Sequence, residues 1–229
     1  MRKHLKRLAM PKSWSSKKKG ITYITKPSPG PHPIKLALPI KLILRDMLKV
    51  AFNSKEAKRI LHEKDVLVDG RVVNDVKFPI GYMDSIELKN GNAFRVSLHK
   101  EKLSLIPIDK SEAGIKLCKI IGKSKIAGKD QLNFDDGRNI LYTAGKTAYR
   151  VGDSVLISVP GNEIKEHIPL EKGCMVSLIG GKHIGETGHI EDIIQNKVTY
   201  KGKDGEIIET LKKYVFVIGK EKPVLKLAQ

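Results

Sequence analysis

The 229-residue chain carries 43 Lys and Arg against 25 Asp and Glu, a net charge of +18 and a pI near 9.8. At 40% hydrophobic and 5% aromatic it can bury cores, but small ones, and its length fits one large domain or two to three small ones. Such a positive balance repels itself in a compact fold unless a polyanion neutralises it, so nucleic acid is the first candidate partner and an anionic membrane the rival. No stretch reaches the roughly 18–20 apolar residues of a membrane-spanning helix. The basic N-terminus lacks the apolar segment of a secretory signal. Two separate cysteines, Cys118 and Cys174, suit a reducing cytosol and offer neither a disulfide framework nor a zinc knuckle.

The charge is concentrated at the start of the chain. Residues 1–45 contain no acid, and the first is Asp46. The basic residues there include Arg2, Lys3, Lys6, Arg7, Lys12, Lys17, Lys18 and Lys19, followed by Lys26, Lys35, Lys41 and Arg45. About two-thirds of the net charge thus sits in about one fifth of the chain. A block of one sign reads as an interaction arm. Pro27-Ser28-Pro29-Gly30-Pro31 argues for an extended path, with little fixed shape before a partner is met. The arm is therefore expected to contribute little core, and the chain from residue 39 on to fold without it.

Order is expected from Pro39, a good first helical residue. Ile40, Ile43, Leu44, Met47, Leu48 and Ala51 recur at helical spacing. A second helix starts at Asn53 or Ser54, where Asn53 and Glu56 have the spacing of a capping box. Ala57, Ile60 and Leu61 face inward, leaving Lys55, Lys58, Arg59 and His62 outside. Asp69-Gly70 between Val66-Leu67-Val68 and Arg71-Val72-Val73 is a strong hairpin signal. Ser85–Leu88 and Phe94–Leu98 read as strands. Further on, Leu117–Ile121, Asn139–Tyr142, Asp153–Val159 and Ile164–Ile168 are candidate strands, the last two flanking the turn Pro160-Gly161-Asn162. From Gly173 the pattern sharpens: Met175–Ile179, Gly188–Ile194, Lys197–Tyr200, Glu206–Glu209 and Tyr214–Ile218 suggest a small barrel.

The run Leu44-Arg45-Asp46-Met47-Leu48, Ser54-Lys55-Glu56-Ala57-Lys58-Arg59-Ile60-Leu61, Val66–Val73 and Asp84–Leu88 resembles the small RNA-binding module named after bacterial ribosomal protein S-four. The residues give the same reading: a capped helix presents Lys55, Lys58, Arg59 and His62 beside Arg71, a cationic shelf for phosphates. The bland alternative is an ordinary solvated helix face. One departure stands out, since the module often has glycine before the first hairpin strand and this chain has Glu63-Lys64-Asp65. Val176–Ile179, Gly181-Lys182-His183-Ile184-Gly185 and Gly188-His189-Ile190 resemble a KOW motif, a short β-element of ribosomal proteins and elongation factors. Its glycines permit close approach to a ligand backbone, with Lys182, His183 and His189 placed to meet RNA. The alternative is a glycine-rich turn with no partner.

Enzyme readings fail at the residue level. Gly180 and Gly185 have phosphate-loop spacing, but Glu186 stands where Lys is required, and a carboxylate there repels phosphate. Asp135-Asp136-Gly137-Arg138-Asn139 lacks the alternating ligands of a calcium loop and reads as a hydrogen-bonded turn. His62, His99, His167, His183 and His189 show no metal-ligand spacing. The cysteines read as core thiols. No catalytic residue, metal or cofactor is assigned.

The order of parts, with Lys3–Ala9, Pro11-Lys12-Ser13-Trp14, Gly30-Pro31-His32, Asp136–Asn139, Cys174-Met175-Val176 and Tyr214–Lys220, resembles the small-subunit ribosomal proteins of the archaeal and eukaryotic number-four type. The resemblance covers nearly the whole chain. It implies an α+β, mostly β fold: an extended basic arm (1–38), the small α/β RNA-binding module (39–103), a central all-β domain (104–171) and an SH3-like KOW barrel (172–229). It also implies a non-enzymatic, cytoplasmic constituent of the small ribosomal subunit. The implied partners are small-subunit ribosomal RNA and neighbouring ribosomal proteins, with no membrane and no small-molecule substrate. Ending at Gln229, the chain lacks the longer C-terminal extension of eukaryotic members, which favours an archaeal one. The competing function is a KOW-containing transcription or RNA-processing factor. Trp14 and Tyr23 are candidates to stack on bases, with packing as the alternative.

Overall fold

A computed structural model describes residues 4–126, 128–142, 148–202 and 205–227. The chain divides into two units, Met1–Ser97 with Glu101–Gly114, and Leu98–Lys100 with Ile115–Gln229. Strands predominate in both, and helices are few and short.

In the first unit, Ile40–Leu42 is α-helical and passes into a widened π-turn over Ile43–Met47, closed by the Leu48 amide donating to the Ile43 carbonyl. Pro39 is the cap of this helix, not its first residue, and ends a short strand, Ala37–Pro39, paired with Pro79–Gly81. The helix buries Ile40, Leu42, Ile43 and Leu44, so it is walled on more sides than a single stripe. The second helix, Ser54–His62, starts as its sequence dictates: the Asn53 side chain accepts from the Lys55 and Glu56 amides at 2.9 Å, and Glu56 reaches back to the Phe52 amide. Where glycine was absent before the hairpin, Lys64 itself takes the left-handed conformation at φ 59 and ends the helix. The hairpin Val66–Val68 to Arg71–Val72 turns at Asp69 and Gly70, both at positive φ, as its two-residue turn demands. With Ser85–Leu88, Ala93–His99 and Lys102–Ile108 it forms a five-stranded sheet.

The N-terminal segment corrects the expectation of an arm with little core. Leu5–Lys6 pairs with Tyr23–Ile24, and Met10, Trp14 and Ile24 are buried. The Trp14 indole Nε1 donates to the Ile34 carbonyl at 3.2 Å. The Leu103 amide donates to the Ser13 carbonyl at 2.7 Å, while the Ser13 and Ser15 hydroxyls donate to the Lys35 and Leu103 carbonyls. His32 pairs with buried Asp84 at 2.9 Å, over Gly81, where any Cβ would fall on the imidazole ring. The physical reason is that a few well-spaced apolar side chains, joined to backbone hydrogen bonds, outweigh the segment's proline content and charge.

The second unit holds two five-stranded sheets. One runs in the order Asn139–Tyr142, Lys129–Phe134, Ile115–Ile126, Ser154–Ser158, Ile164–Ile168. Ile115–Ile126 pairs with Ser154–Ser158 in its first half and Lys129–Phe134 in its second, with a register shift between Ile120 and Gly122. Cys118, Ile120, Leu132, Phe134, Val155 and Ile157 form its core. The other sheet runs Ile207–Leu211, Lys197–Gly202, Thr187–Ile194, Met175–Leu178, Val215–Gly219. Its last strand is buried at every position. Lys119 reaches the turn before that strand, donating from Nζ to the carbonyls of Lys212, Lys213 and Val215 at 2.5–3.2 Å.

Candidate nucleic-acid interface

Ala57 and Leu61 anchor the helix Ser54–His62 inward, so Lys55, Lys58, Arg59 and His62 are exposed on its outer face. Arg71 is exposed on the adjoining hairpin. Arg59 pairs with Glu63 at 2.7 Å, and that hydrogen bond raises its already high pKa. An exposed pair of this kind adds little stability.

The N-terminal cations divide. Lys6, Lys12, Lys17, Lys18 and Lys19 are exposed. Arg7 is half-buried and donates to the Lys17 carbonyl at 3.0 Å, so its guanidinium braces the segment's own path. Arg2 and Lys3 lie outside the described residues. Trp14, at 2% exposure, packs and presents no face for a base; Tyr23, at 56%, presents one.

In the KOW-like stretch, Lys182 is exposed, and His183 pairs with Glu186 at 2.9 Å. Glu186 also accepts from the Tyr200 hydroxyl at 3.1 Å. Burial, then this hydrogen bond, pushes the Tyr200 phenol up. His189 faces the Gly173 carbonyl at 3.3 Å. The glycines serve packing: a Cβ on Gly180 would fall on the Tyr214 ring, and one on Gly188 on the Lys201 carbonyl. Gly181 and Gly185 adopt φ near 90°.

One cluster has the composition of a metal site. Cys118, Asp135 and Asp136 bring their ligand atoms within 4.8 Å of one another. Asp136 is already held by Lys116 at 3.0 Å and Arg138 at 2.8 Å, and the Cys118 thiol donates to it. Burial alone would raise this carboxyl, but Lys116 and the Arg138 amide outweigh burial and hold it below its usual range. Burial likewise pushes the Cys118 thiol well up. Two cations on Asp136, the Lys119 amide on Asp135 and a protonated thiol make this a buried ion-pair core. The Asp-Asp-Gly-Arg turn is hydrogen-bonded as expected, with the Arg138 amide on Asp136 at 3.0 Å.

Sequence reasoning counted Lys41 among the cations of the acid-free stretch but missed Lys77 and the pairing of the two. Amides at the start of the first helix donate to the loop before Pro79, Ile40 to Phe78 and Lys41 to Val76, which brings these lysines together from distant positions.

The family model described as Ribosomal family S4e matches residues 90–164, and the RS4NT (NUC023) domain matches residues 1–35. The small ribosomal subunit protein eS4 of Methanothermobacter thermautotrophicus is 44% identical over 235 residues, spanning 99% of this chain and 96% of the relative. That of Methanocaldococcus jannaschii is 42% identical over 240 residues, spanning 99% and 98%. The chain belongs to the S4e family of ribosomal proteins. Among solved structures, the 30S ribosomal protein S4e of Thermoplasma acidophilum superposes with a TM-score of 0.68 at 34% identity, over 81% of this chain and 95% of that one. The S4e family is one of structural ribosomal proteins, so this member is not an enzyme. No helix among the described residues is long and apolar enough to cross a membrane.

Proposed function

We propose that this S4e-family protein is a structural constituent of the small ribosomal subunit in the cytoplasm, where it binds and organises small-subunit ribosomal RNA beside neighbouring ribosomal proteins. The observation that carries the reading is the exposed row Lys55, Lys58, Arg59 and His62 with Arg71, displayed by a helix whose opposite side is buried. Ammonium and guanidinium groups held on rigid elements track phosphates and release condensed counterions. Exposed Lys6, Lys12, Lys17, Lys18 and Lys19 add a second cationic segment, and Lys182 and His183 a third.

In the same reading, residues 39–103 act as the RNA-binding module, 104–171 as the central β domain and 172–229 as a KOW domain of SH3-like barrel form. Residues 4–38 form a basic segment that docks on its own fold while presenting lysines outward. The methanogen relatives favour the ribosomal role over a transcription or RNA-processing factor.

The test is charge reversal. Lys55→Glu, Lys58→Glu and Arg59→Glu together should weaken binding to small-subunit ribosomal RNA. They should also flatten the dependence of log affinity on log salt by roughly 2–3, at about 0.7–0.9 per lost phosphate contact. An unchanged slope would move the RNA surface elsewhere.

A further inference from the structure

An open cleft of about 500 Å³, its solvent side included, lies in the first unit. Its lining includes the rings of His4 and Tyr23, the apolar Val76, and the lysines Lys26, Lys41 and Lys77. The strand Tyr23–Ile24 sets which ring faces the cleft. Tyr23 and Ile24 are successive residues of one strand, so their side chains point to opposite faces. Ile24 goes inward, at 6% exposure, and Tyr23 outward, at 56%. His4 stands against Tyr23 with ring centroids 5.7 Å apart and planes inclined by 55°. The tilted neighbour props the phenol ring and leaves much of its area to a partner.

The charge is arranged to match. The Ser28 amide donates to the Lys77 carbonyl at 2.9 Å and the Lys41 amide to the Val76 carbonyl at 3.3 Å, which places both lysines at the cleft. Burial, then Arg45, and more weakly Lys77 lower the pKa of Lys41, while Asp46 opposes them. Asp46 is itself taken by Arg45 at 2.6 Å. Asp75 also lies here, accepting from the Lys77 amide at 2.9 Å and the Ser28 hydroxyl at 3.1 Å, so Lys26, Lys41, Lys77 and Arg45 share two acids, Asp46 and Asp75.

A ring with an open face beside an excess of ammonium groups is what an unstacked nucleotide requires: a surface for the base and cations for its phosphate. A duplex cannot supply this ligand, because its bases are already stacked. We propose that this cleft binds one unstacked nucleotide of single-stranded RNA, its base against Tyr23 and its phosphate at Lys41 and Lys77. The inference deepens the RNA-binding function proposed above and rests on it.

The test uses the full-length chain, a short single-stranded oligoribonucleotide, and small-subunit ribosomal RNA carrying 5-iodouridine. Tyr23→Leu should weaken binding of the single strand by roughly 5- to 100-fold, the worth of one base–aromatic stack, and leave the salt dependence unchanged. Tyr23→Phe should bind as the natural chain does. Lys41→Met with Lys77→Met should flatten the single-strand salt slope by about 0.7, the worth of the one phosphate the two lysines share. Photocrosslinking of the natural chain should place an adduct on Tyr23 or His4, a result independent of how any variant folds. Crosslinks absent from both rings, or a folded Tyr23→Leu chain that binds at full affinity, would overturn the proposal. If the charge reversal on Lys55, Lys58 and Arg59 still weakens binding in that case, the cleft is wrong and the RNA function stands. A natural chain that binds no RNA would overturn both.

Discussion

Replacing Trp14 by alanine tests whether the basic N-terminal segment belongs to the fold. The indole is 2% exposed, and its Nε1 donates to the Ile34 carbonyl. Truncating a buried tryptophan costs about 3–5 kcal/mol, of which the hydrogen bond accounts for roughly 1. For a unit of roughly a hundred residues, each kcal/mol lowers the unfolding midpoint by about 4–8 °C, so a fall of at least ~12 °C is expected. Trp14→Phe keeps most of the apolar volume and should lose clearly less. The assay is thermal unfolding followed by far-ultraviolet circular dichroism. A second readout comes free, because Trp14 is the chain's only tryptophan: its emission should be that of a buried indole and should shift red together with the loss of secondary structure. A natural chain with water-exposed emission, and an alanine variant with an unchanged midpoint, would refute the packing argument and restore an unstructured arm.

Lys119→Met leaves three carbonyls without their ammonium donor and should cost about 2–4 kcal/mol in chemical denaturation. Burial also lowers the Lys119 pKa, from 10.5 to about 8. Across that interval the unfolded chain binds more protons than the folded one, so the natural protein should gain stability relative to Lys119→Met as pH rises through it; a constant difference would contradict this. Asp136→Asn leaves Lys116, 2% exposed, short of its counter-charge and should cost about 3–5 kcal/mol. The Asp136 carboxyl lies below its ordinary 3.8, so its contribution is complete above that pH and is lost as pH falls through the folded value. Acid titration of the variant should lack that loss. Asn53→Ala removes a cap accepting two amides and should cost about 1 kcal/mol.

Local chemistry was legible wherever one residue type answers one backbone demand. Asn53 announced a helix start, Asp69-Gly70 a hairpin, and the strands Ser85–Leu88, Asn139–Tyr142 and Ile164–Ile168 begin and end where the sequence suggested. Exposed Lys55, Lys58, Arg59 and His62 followed from the same helical period that buries Ala57 and Leu61. What escaped the sequence is tertiary. Trp14 looks like a lone aromatic in a charged tail until Ile34 and Leu103 fold over its neighbourhood. Nothing in the sequence marks Lys116 and Lys119 for burial, yet each is buried because a partner distant in sequence meets its ammonium group, Asp136 in one case and the turn at Lys212–Val215 in the other. The KOW-like glycines drew attention as ligand approaches, and Gly180 and Gly188 proved to admit Tyr214 and a neighbouring strand. The Lys41 and Lys77 pairing carries no sequence signal, since a helix start and a loop after the hairpin supply one residue each.

The central claim is that the exposed cations of the first unit contact small-subunit ribosomal RNA. The direct measurement is protein–RNA crosslinking on purified small subunits, with the modified peptides identified by mass spectrometry. Adducts on the helix Ser54–His62 and on the segment holding Lys12, Lys17, Lys18 and Lys19 are predicted. Subunits that carry the protein with RNA adducts on neither segment would contradict the account.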